Sequence, residues 1–379
     1  MKPSAVIHIG VEKTGSTSIQ QFLSLNRAEL RKSGFYVPSF LGRTNHRLLP
    51  FLAYSEKRED EFTIRNNLTP GSRKRIVVQR NGVRSIKLMA KYHAVSKWII
   101  SSEHIHSRLT TSEEISRFKE LLDDCFSDYS FLIYVRKPID LAVSLYSTAI
   151  KDGHHLEGLP SPTHPYWGYL CNYKDALTRW QKVFKDKTFN VRLYDKSQFF
   201  QGSLIADFCR ALDISHSCST ALPKPLNQSL GIDALRLLNA LNRIRSQHEF
   251  NSVYTKSSNT KAILPFFEKA FPYNGNSFSP TPAQIVEYHK EFHESNQWLL
   301  GNFTKLSRDY WIDPLDHDAK CVSTSNLSVT DSEQRLVGVI YNLNVSRRSL
   351  LEPKLFRTLA LIVFKLVADL KALSRGLAD

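Results

Sequence analysis

The chain has 379 residues, 42% hydrophobic and 23% charged, a balance that supports a sizeable core and excludes a largely disordered protein. Its 51 Lys and Arg against 36 Asp and Glu leave a formal net charge of +15, which favours anionic partners: nucleotides, sulfated or phosphorylated glycans, nucleic acid or an anionic membrane surface. The five cysteines, Cys125, Cys171, Cys209, Cys218 and Cys321, include no C-x-x-C pair; the odd count argues against a disulfide framework and points to a reducing compartment.

Ala5-Val6-Ile7 is a short apolar strand, followed by the loop HIGVEKTGSTS at residues 8–18 and a helix from about Ser18. In such a loop, backbone N–H groups and a helix N-terminus face an anion. Gly10 and Gly15 have the spacing of the nucleoside-triphosphatase pattern G-x-x-x-x-G-K-[ST], but Ser16 stands where that pattern has its lysine. The loop's lysine, Lys13, lies two residues before Gly15 instead. That displacement points away from ATP or GTP and towards a different phosphorylated donor.

Ile19, Phe22, Leu23 and Leu30 predict one amphipathic helix ending near Gly34. GFYVP then reads as a short strand, and residues 40–75 as loops and short helices. From Thr63 to Ser102 there is no acidic residue but nine Lys or Arg, either a solvated helix face or a wall that receives an anion. Trp98-Ile99-Ile100 reads as a buried parallel strand ending in Ser101-Ser102-Glu103-His104. Thr111 with Glu113 and Glu114 starts a helix reaching Phe126. Ser130–Val135 is a further strand, ended by Arg136-Lys137-Pro138 and followed by a helix to about Lys151. Thr188–Tyr194 is the next strand. Strands alternating with helices imply an α/β fold: a P-loop-like parallel sheet with helices on both faces. Further helices are expected over Ile232–Ile244 and Pro282–Phe303, with 245–281 as a lid or loop. The expected organisation is an α/β domain over 1–312, a polar linker over 313–330 and a helical tail over 331–379. In that tail, residues 355–373 form an amphipathic helix that packs on the protein, pairs with a second copy or lies on a membrane.

In an open parallel sheet, ligands bind beyond the carboxyl ends of the strands. That rule brings together Lys13 with its loop, Glu103, Arg136 and Tyr194. Arg136 at a strand end and Ser144 on the next helix are suited to grip one phosphate. Thr14, Gly15, Ser16, Thr17 and Ser18 supply N–H and hydroxyl donors. Tyr194 is placed to stack on a base or bond a ribose. Asn227 and Ser229 precede a helix, where they contact a phosphate or simply cap it. A hydroxyl acceptor needs a general base; Glu103 ranks first, His46 second and His104 third, each with an ordinary structural role as the alternative. His104/His106 and His154/His155 lack a third ligand at a fitting spacing, so no metal site is expected.

At Lys13–Ser18, and at Tyr134–Asp140 through Ser144, the chain resembles the sulfotransferases that use 3′-phosphoadenosine 5′-phosphosulfate (PAPS). Softer similarities to bacterial and carbohydrate-type members lie at Trp98–His104, Leu226–Leu230 and Glu294–Leu299. The resemblance covers about residues 5–312. It implies that the loop binds the 5′-phosphosulfate and that Arg136 and Ser144 bind the 3′-phosphate. It also implies that 3′-phosphoadenosine 5′-phosphate (PAP) is the product and that no metal is needed. Lys13 is then the candidate for stabilising the leaving oxygen; the net charge of +15 and the basic stretch, rather than the resemblance, point to a hydroxyl of an anionic saccharide or glycolipid as the expected acceptor. Two other readings stand beside it: an ATP-dependent small-molecule kinase with an altered loop, and a non-catalytic binder of anionic glycan or nucleic acid. Nucleic acid is not the expected partner. Without a basic-then-apolar leader or an apolar run of membrane-spanning length, the expected location is the cytoplasm, with peripheral membrane contact as a variant.

Overall fold

The computed structural model describes residues 2–214, 230–248, 264, 277–303 and 306. Five strands, β1 (Ser4–His8), β2 (Phe35–Tyr36), β3 (Lys97–Ser101), β4 (Asp128–Val135) and β5 (Phe189–Leu193), form one sheet in the order β2-β3-β1-β4-β5. Every pairing is parallel. β1 sits in the middle, with Ala5 opposite Trp98 of β3 on one side and Tyr129 of β4 on the other. The α/β class expected from the alternating pattern is the observed one.

The strands are apolar on both faces because helices cover both. On one face Val6, Ile99, Leu132 and Tyr134 meet Ile19, Phe22 and Leu23 of α1 (Ser16–Leu25) and Leu30 of α2 (Arg27–Lys32). Ile205, Phe208 and Leu212 of α11 (Leu204–Leu212) close that layer. On the other face Phe131 lies 5.6 Å from Trp180 of α10 (Tyr173–Val183), which meets Phe118 of α7 (Ser112–Cys125) at 5.8 Å. Aromatic pairs at such centroid distances favour edge-to-face packing, which these two adopt. Other helices among the described residues include α3 (Leu48–Leu52), α4 (Glu61–Arg65), α5 (Arg73–Tyr92), α6 (His104–Arg108), α8 (Pro138–Lys151), α9 (Pro165–Cys171), α12 (Ile232–His248) and α13 (Pro282–Asn302).

One expected helix is two. The apolar pattern through Leu30 predicts continuity to Gly34, but the chain breaks at Asn26 between α1 and α2. The Asn26 amide donates to Phe22 O at 2.9 Å, and this local bond competes with continuation of the helix. Leu30 still reaches the core because α2 restarts on the same side.

The chain divides into two compact units. The first comprises Met1–Leu141, Pro162–Leu226 and Tyr288–Asp313, and the second Ala142–Ser161, Asn227–Glu287 and Pro314–Asp379. The first holds the sheet. In the second, the Asn242 side chain donates to Ile150 O and His154 O, and Asn239 is bonded to both backbone groups of Leu156. The expected linker and tail, including 355–373, lie outside the described residues. Among the described residues, no helix is long and apolar enough to cross a membrane.

A buried polar knot ties β4, β5 and α11 together. Asp207 accepts from Tyr134 Oη at 2.8 Å, from Arg192 Nε at 2.7 Å and from the backbone N–H of Phe200 at 3.1 Å. Burial works to raise its pKa, but these bonds outweigh it and hold the carboxyl below the usual range. Asp207→Ala leaves Arg192 without its carboxylate, so unfolding by urea should show a loss of about 3–5 kcal/mol at neutral pH. In the parent protein this stabilisation is present above the ordinary aspartate pKa and disappears as the pH falls through the lowered one.

Candidate active site

The loop after β1 does not leave the sheet at once. Ile9 N–H donates to Leu132 O and Val11 N–H to Tyr134 O, both at 3.0 Å, and Tyr134 N–H returns a bond to Gly10 O at 2.8 Å. On the other side Ser102 N–H donates to His8 O at 3.0 Å and His106 N–H to Ile9 O at 3.3 Å. The turn then closes through Gly10, Lys13 and Gly15, all with positive φ (111°, 63° and 74°). Thr14 is buried, its hydroxyl donating to Val11 O at 2.7 Å.

Gly15 is the N-cap of α1, which no side chain caps and whose first turn holds no acid. The N–H groups of Ser18 and Ile19 bond Gly15 O. Those of Ser16 and Thr17 have no carbonyl of their own helix within reach, as in any first turn, and so suit an anion. A Cβ on Gly15 would overlap Leu204 Cδ2 and come within 2.9 Å of Tyr194 Cε2. The left-handed backbone favours glycine here, and a Cβ would also force aside the side chains of Leu204 in α11 and of Tyr194 just after β5.

Three further strand ends meet this loop. A Cβ on Gly10 would lie 3.1 Å from Glu103 Cα, which places the start of α6 directly against the turn. The Arg136 guanidinium carbon is 5.5 Å from the centre of the Tyr194 ring, a cation–π distance. The Arg136 backbone is locked by Tyr173, whose hydroxyl accepts from Arg136 N–H at 3.2 Å and donates to Arg136 O at 2.7 Å. Lys13, Glu103, Arg136 and Tyr194 thus gather at one edge of the sheet. Ser144 is half-buried in the second turn of α8 and belongs to the second unit. Asn227 and Ser229 lie outside the described residues.

The three candidate bases have different surroundings. Glu103 is 16% exposed, and its Oε2 accepts from Gln20 Nε2 at 2.6 Å and Asn45 Nδ2 at 2.9 Å. Burial raises its pKa; the nearby Glu12 adds to this, while the Gln20 bond and Arg47 oppose it. A carboxylate whose proton affinity is raised in this way, and which two amides still orient, has the properties of a general base. His46 is fully buried, and its Nδ1 accepts from the backbone N–H of Ser101 at 2.9 Å. Burial pushes its pKa down to about 3, so it is neutral with the proton on Nε2, which has no partner among the described residues. Its one lone pair is spent on the backbone. For His104, burial together with Arg47 and Arg108 lowers the pKa to about 2, and its Nε2 is 3.8 Å from Glu103 Oε1.

Sequence reasoning misses the residues that hold these groups. Gln20 and Asn45 orient Glu103. A signal for Gln20 is its place beside Ile19 in the buried arc of α1, where an amide needs a partner. Asn45 adjoins His46, and its Oδ1 also accepts from Ser102 Oγ at 2.7 Å. Glu12 of the loop accepts from Arg108 Nη1 and from Tyr166 Oη, each at 3.2 Å. Arg108 also bonds Glu61 at 3.2 Å, and Arg47 pairs with Asp60. These contacts join α4, α6 and α9, segments too far apart in sequence for any motif to link.

No protein-family model matches the chain, and no curated protein matches it either. Among solved structures, the crystal structure of a sulfotransferase from Alicyclobacillus acidocaldarius is similar at 18% identity with a TM-score of 0.36, covering 67% of this chain and 99% of that one. A likeness of that size assigns this chain neither a family nor an activity.

Gly15→Ala should destabilise the protein by about 1–3 kcal/mol, because the new methyl is overpacked against Leu204 and Tyr194 on a strained backbone. Chemical denaturation of the purified variant measures this directly.

Proposed function

We propose that this chain is a PAPS-dependent sulfotransferase acting on an acceptor hydroxyl. The observation that carries the proposal is the meeting of the Lys13–Ser18 turn, an uncapped helix start, with Glu103 on one side and Arg136 and Tyr194 on the other. Three features support a phosphorylated donor at this turn: the close-packed Gly15, the absence of acid in the first turn of α1, and an arginine rather than a carboxylate after β4. The donor supplies a sulfuryl group on an adenylate phosphate, and its transfer leaves negative charge on the bridging oxygen.

The roles of the residues follow from their chemistry. Lys13 presents an ammonium from the crest of the loop, where it neutralises charge developing on the leaving side. The N–H groups and hydroxyls of Ser16, Thr17 and Ser18 hold the 5′-phosphate. Arg136, backed by the Tyr194 ring, binds the 3′-phosphate, with Ser144 as its partner in the same role, and Asn227 and Ser229 contribute there too. Glu103 Oε1 takes the proton of the acceptor hydroxyl while Gln20 and Asn45 keep Oε2 fixed. His46 is neutral and buried and His104 neutral and half-buried; both shape the wall behind Glu103. No role is given to a metal. The acceptor proposed is a saccharide or glycolipid. The extent of the catalytic domain (residues 1–312), the linker, the tail with its membrane or dimer contact and the cytoplasmic location belong to the same proposal.

Titration calorimetry with PAP should show binding without magnesium, and Arg136→Ala should weaken it at least about tenfold, the loss of one charge-assisted contact. No heat with PAP, or binding of ATP only with magnesium, removes the proposal in favour of a kinase.

A labelled-donor assay with cell extract as the acceptor source tests the base. Turnover should fall as the pH drops through the raised Glu103 pKa, because the protonated acid cannot accept the hydroxyl proton. Gln20→Ala removes a bond that favours the carboxylate, so this acidic limb should move to higher pH, while Glu103→Gln should lower turnover by about 10²–10⁴. An unmoved limb assigns the proton transfer to another group.

A further inference from the structure

The helix α5 runs for 20 residues, about 30 Å, on the outside of the first unit. Its inner side is set by Arg75, Gly82, Ile86 and Ala90, all buried. Arg75 is turned inward and anchored, its guanidinium donating to Arg58 O at 2.8 Å and Ser55 O at 2.7 Å. The outer side combines two kinds of residue that seldom share a solvent face. Arg73, Arg80, Arg84 and Lys91 are exposed, and none of them forms an ion pair among the described residues. Interleaved with them are Ile76 (56% exposed), Leu88 (67%) and Tyr92 (75%), followed by Val95 (96%) just past the helix end. These four make up half of the strongly exposed large apolar residues among the described residues, although α5 is a small part of the surface.

We propose that this outer face of α5 docks the protein on an anionic phospholipid bilayer. Charge complementarity selects an anionic surface: the stretch from Thr63 to Ser102 contains no acidic residue, and although Lys87 of α5 pairs with Asp124 of α7 at 2.6 Å, Arg73, Arg80, Arg84 and Lys91 keep their charge without an ion pair among the described residues. The apolar residues select lipid among anionic surfaces. Ile76, Leu88 and Val95 have no polar group to bond a sugar–phosphate or sulfated-sugar polymer, whereas at a bilayer they enter the headgroup boundary beneath a row of cations, and Tyr92 sits there with its ring among them and its hydroxyl at the polar level. Each of the two signals is weak alone, and their combination on one helix is what makes anchoring stable and reversible by salt. The docking is independent of the sulfuryl-transfer reading and stands or falls without it.

The test is co-sedimentation of the full-length chain with vesicles of phosphatidylcholine, with and without phosphatidylserine. Binding should require phosphatidylserine and weaken as salt is raised. Arg80→Glu/Arg84→Glu and Leu88→Ser/Tyr92→Ser should each reduce it at least about tenfold. All four side chains are exposed, and an unchanged circular dichroism melt checks that each variant is folded. Vesicle binding that survives the charge reversal places the contact elsewhere on the chain and overturns the proposal. Loss with the charge variant but not with the apolar one also overturns it, identifying a polyanion surface instead; binding to immobilised heparin then follows the same pattern.

Discussion

Backbone hydrogen bonds that continue past the end of β1 are the constraint on which the site depends. β1 has a parallel neighbour on each side, and both keep bonding the chain after the regular strand has stopped: Leu132 and Tyr134 from β4, and the Ser102–His106 segment beyond β3. A glycine-containing loop is expensive to order. Here its first half is ordered by the sheet, so the turn through Lys13 and Gly15 begins from a fixed platform. The same bonds draw the ends of β3 and β4 to the turn, which is why Glu103 and Arg136 arrive beside it.

Electrostatics at this edge are divided by position. The start of α1 carries no acid and faces an arginine across Tyr194, a setting that attracts an anion. A few residues away Glu12, Asp60, Glu61 and Glu103 alternate with Arg47 and Arg108. There the charges are largely paired with one another. Arg108 is held protonated against its burial by Tyr166, Glu12 and Glu61. Glu103 is the exception in that group: amides rather than cations hold it, so its carboxylate is oriented without being strongly stabilised. A basic group kept slightly uncomfortable in its charged state is the physical requirement for taking a proton.

Most of the elements near the site were legible as sequence. The apolar runs at Val6, Trp98, Phe131 and Val191 are strands at the expected places, and Thr111 and Pro138 start the expected helices. These features depend on residues within a few positions of each other, through periodicity, caps and turn chemistry. The break at Asn26 was not legible, because the apolar spacing on its two sides is continuous while the Asn26 backbone leaves the helical conformation and its side chain bonds Phe22 O. The short helices α6 and α9 were also hidden, since each is positioned by its packing more than by its own pattern.

The order of residue types along the chain alone determined a parallel α/β sheet, an anion-suited turn after the first strand, and the identity of the charged groups that end the other strands. Local physics suffices for these, because strand and helix patterns and glycine positions act over a handful of residues. Only the tertiary structure decided that Gln20 and Asn45 hold Glu103, that Tyr173 locks Arg136 and Tyr194 backs it, and that His46 spends its lone pair on Ser101. Those bonds join residues up to 83 positions apart, and no pattern along the chain encodes a distance that exists only once the sheet has brought its strand ends together.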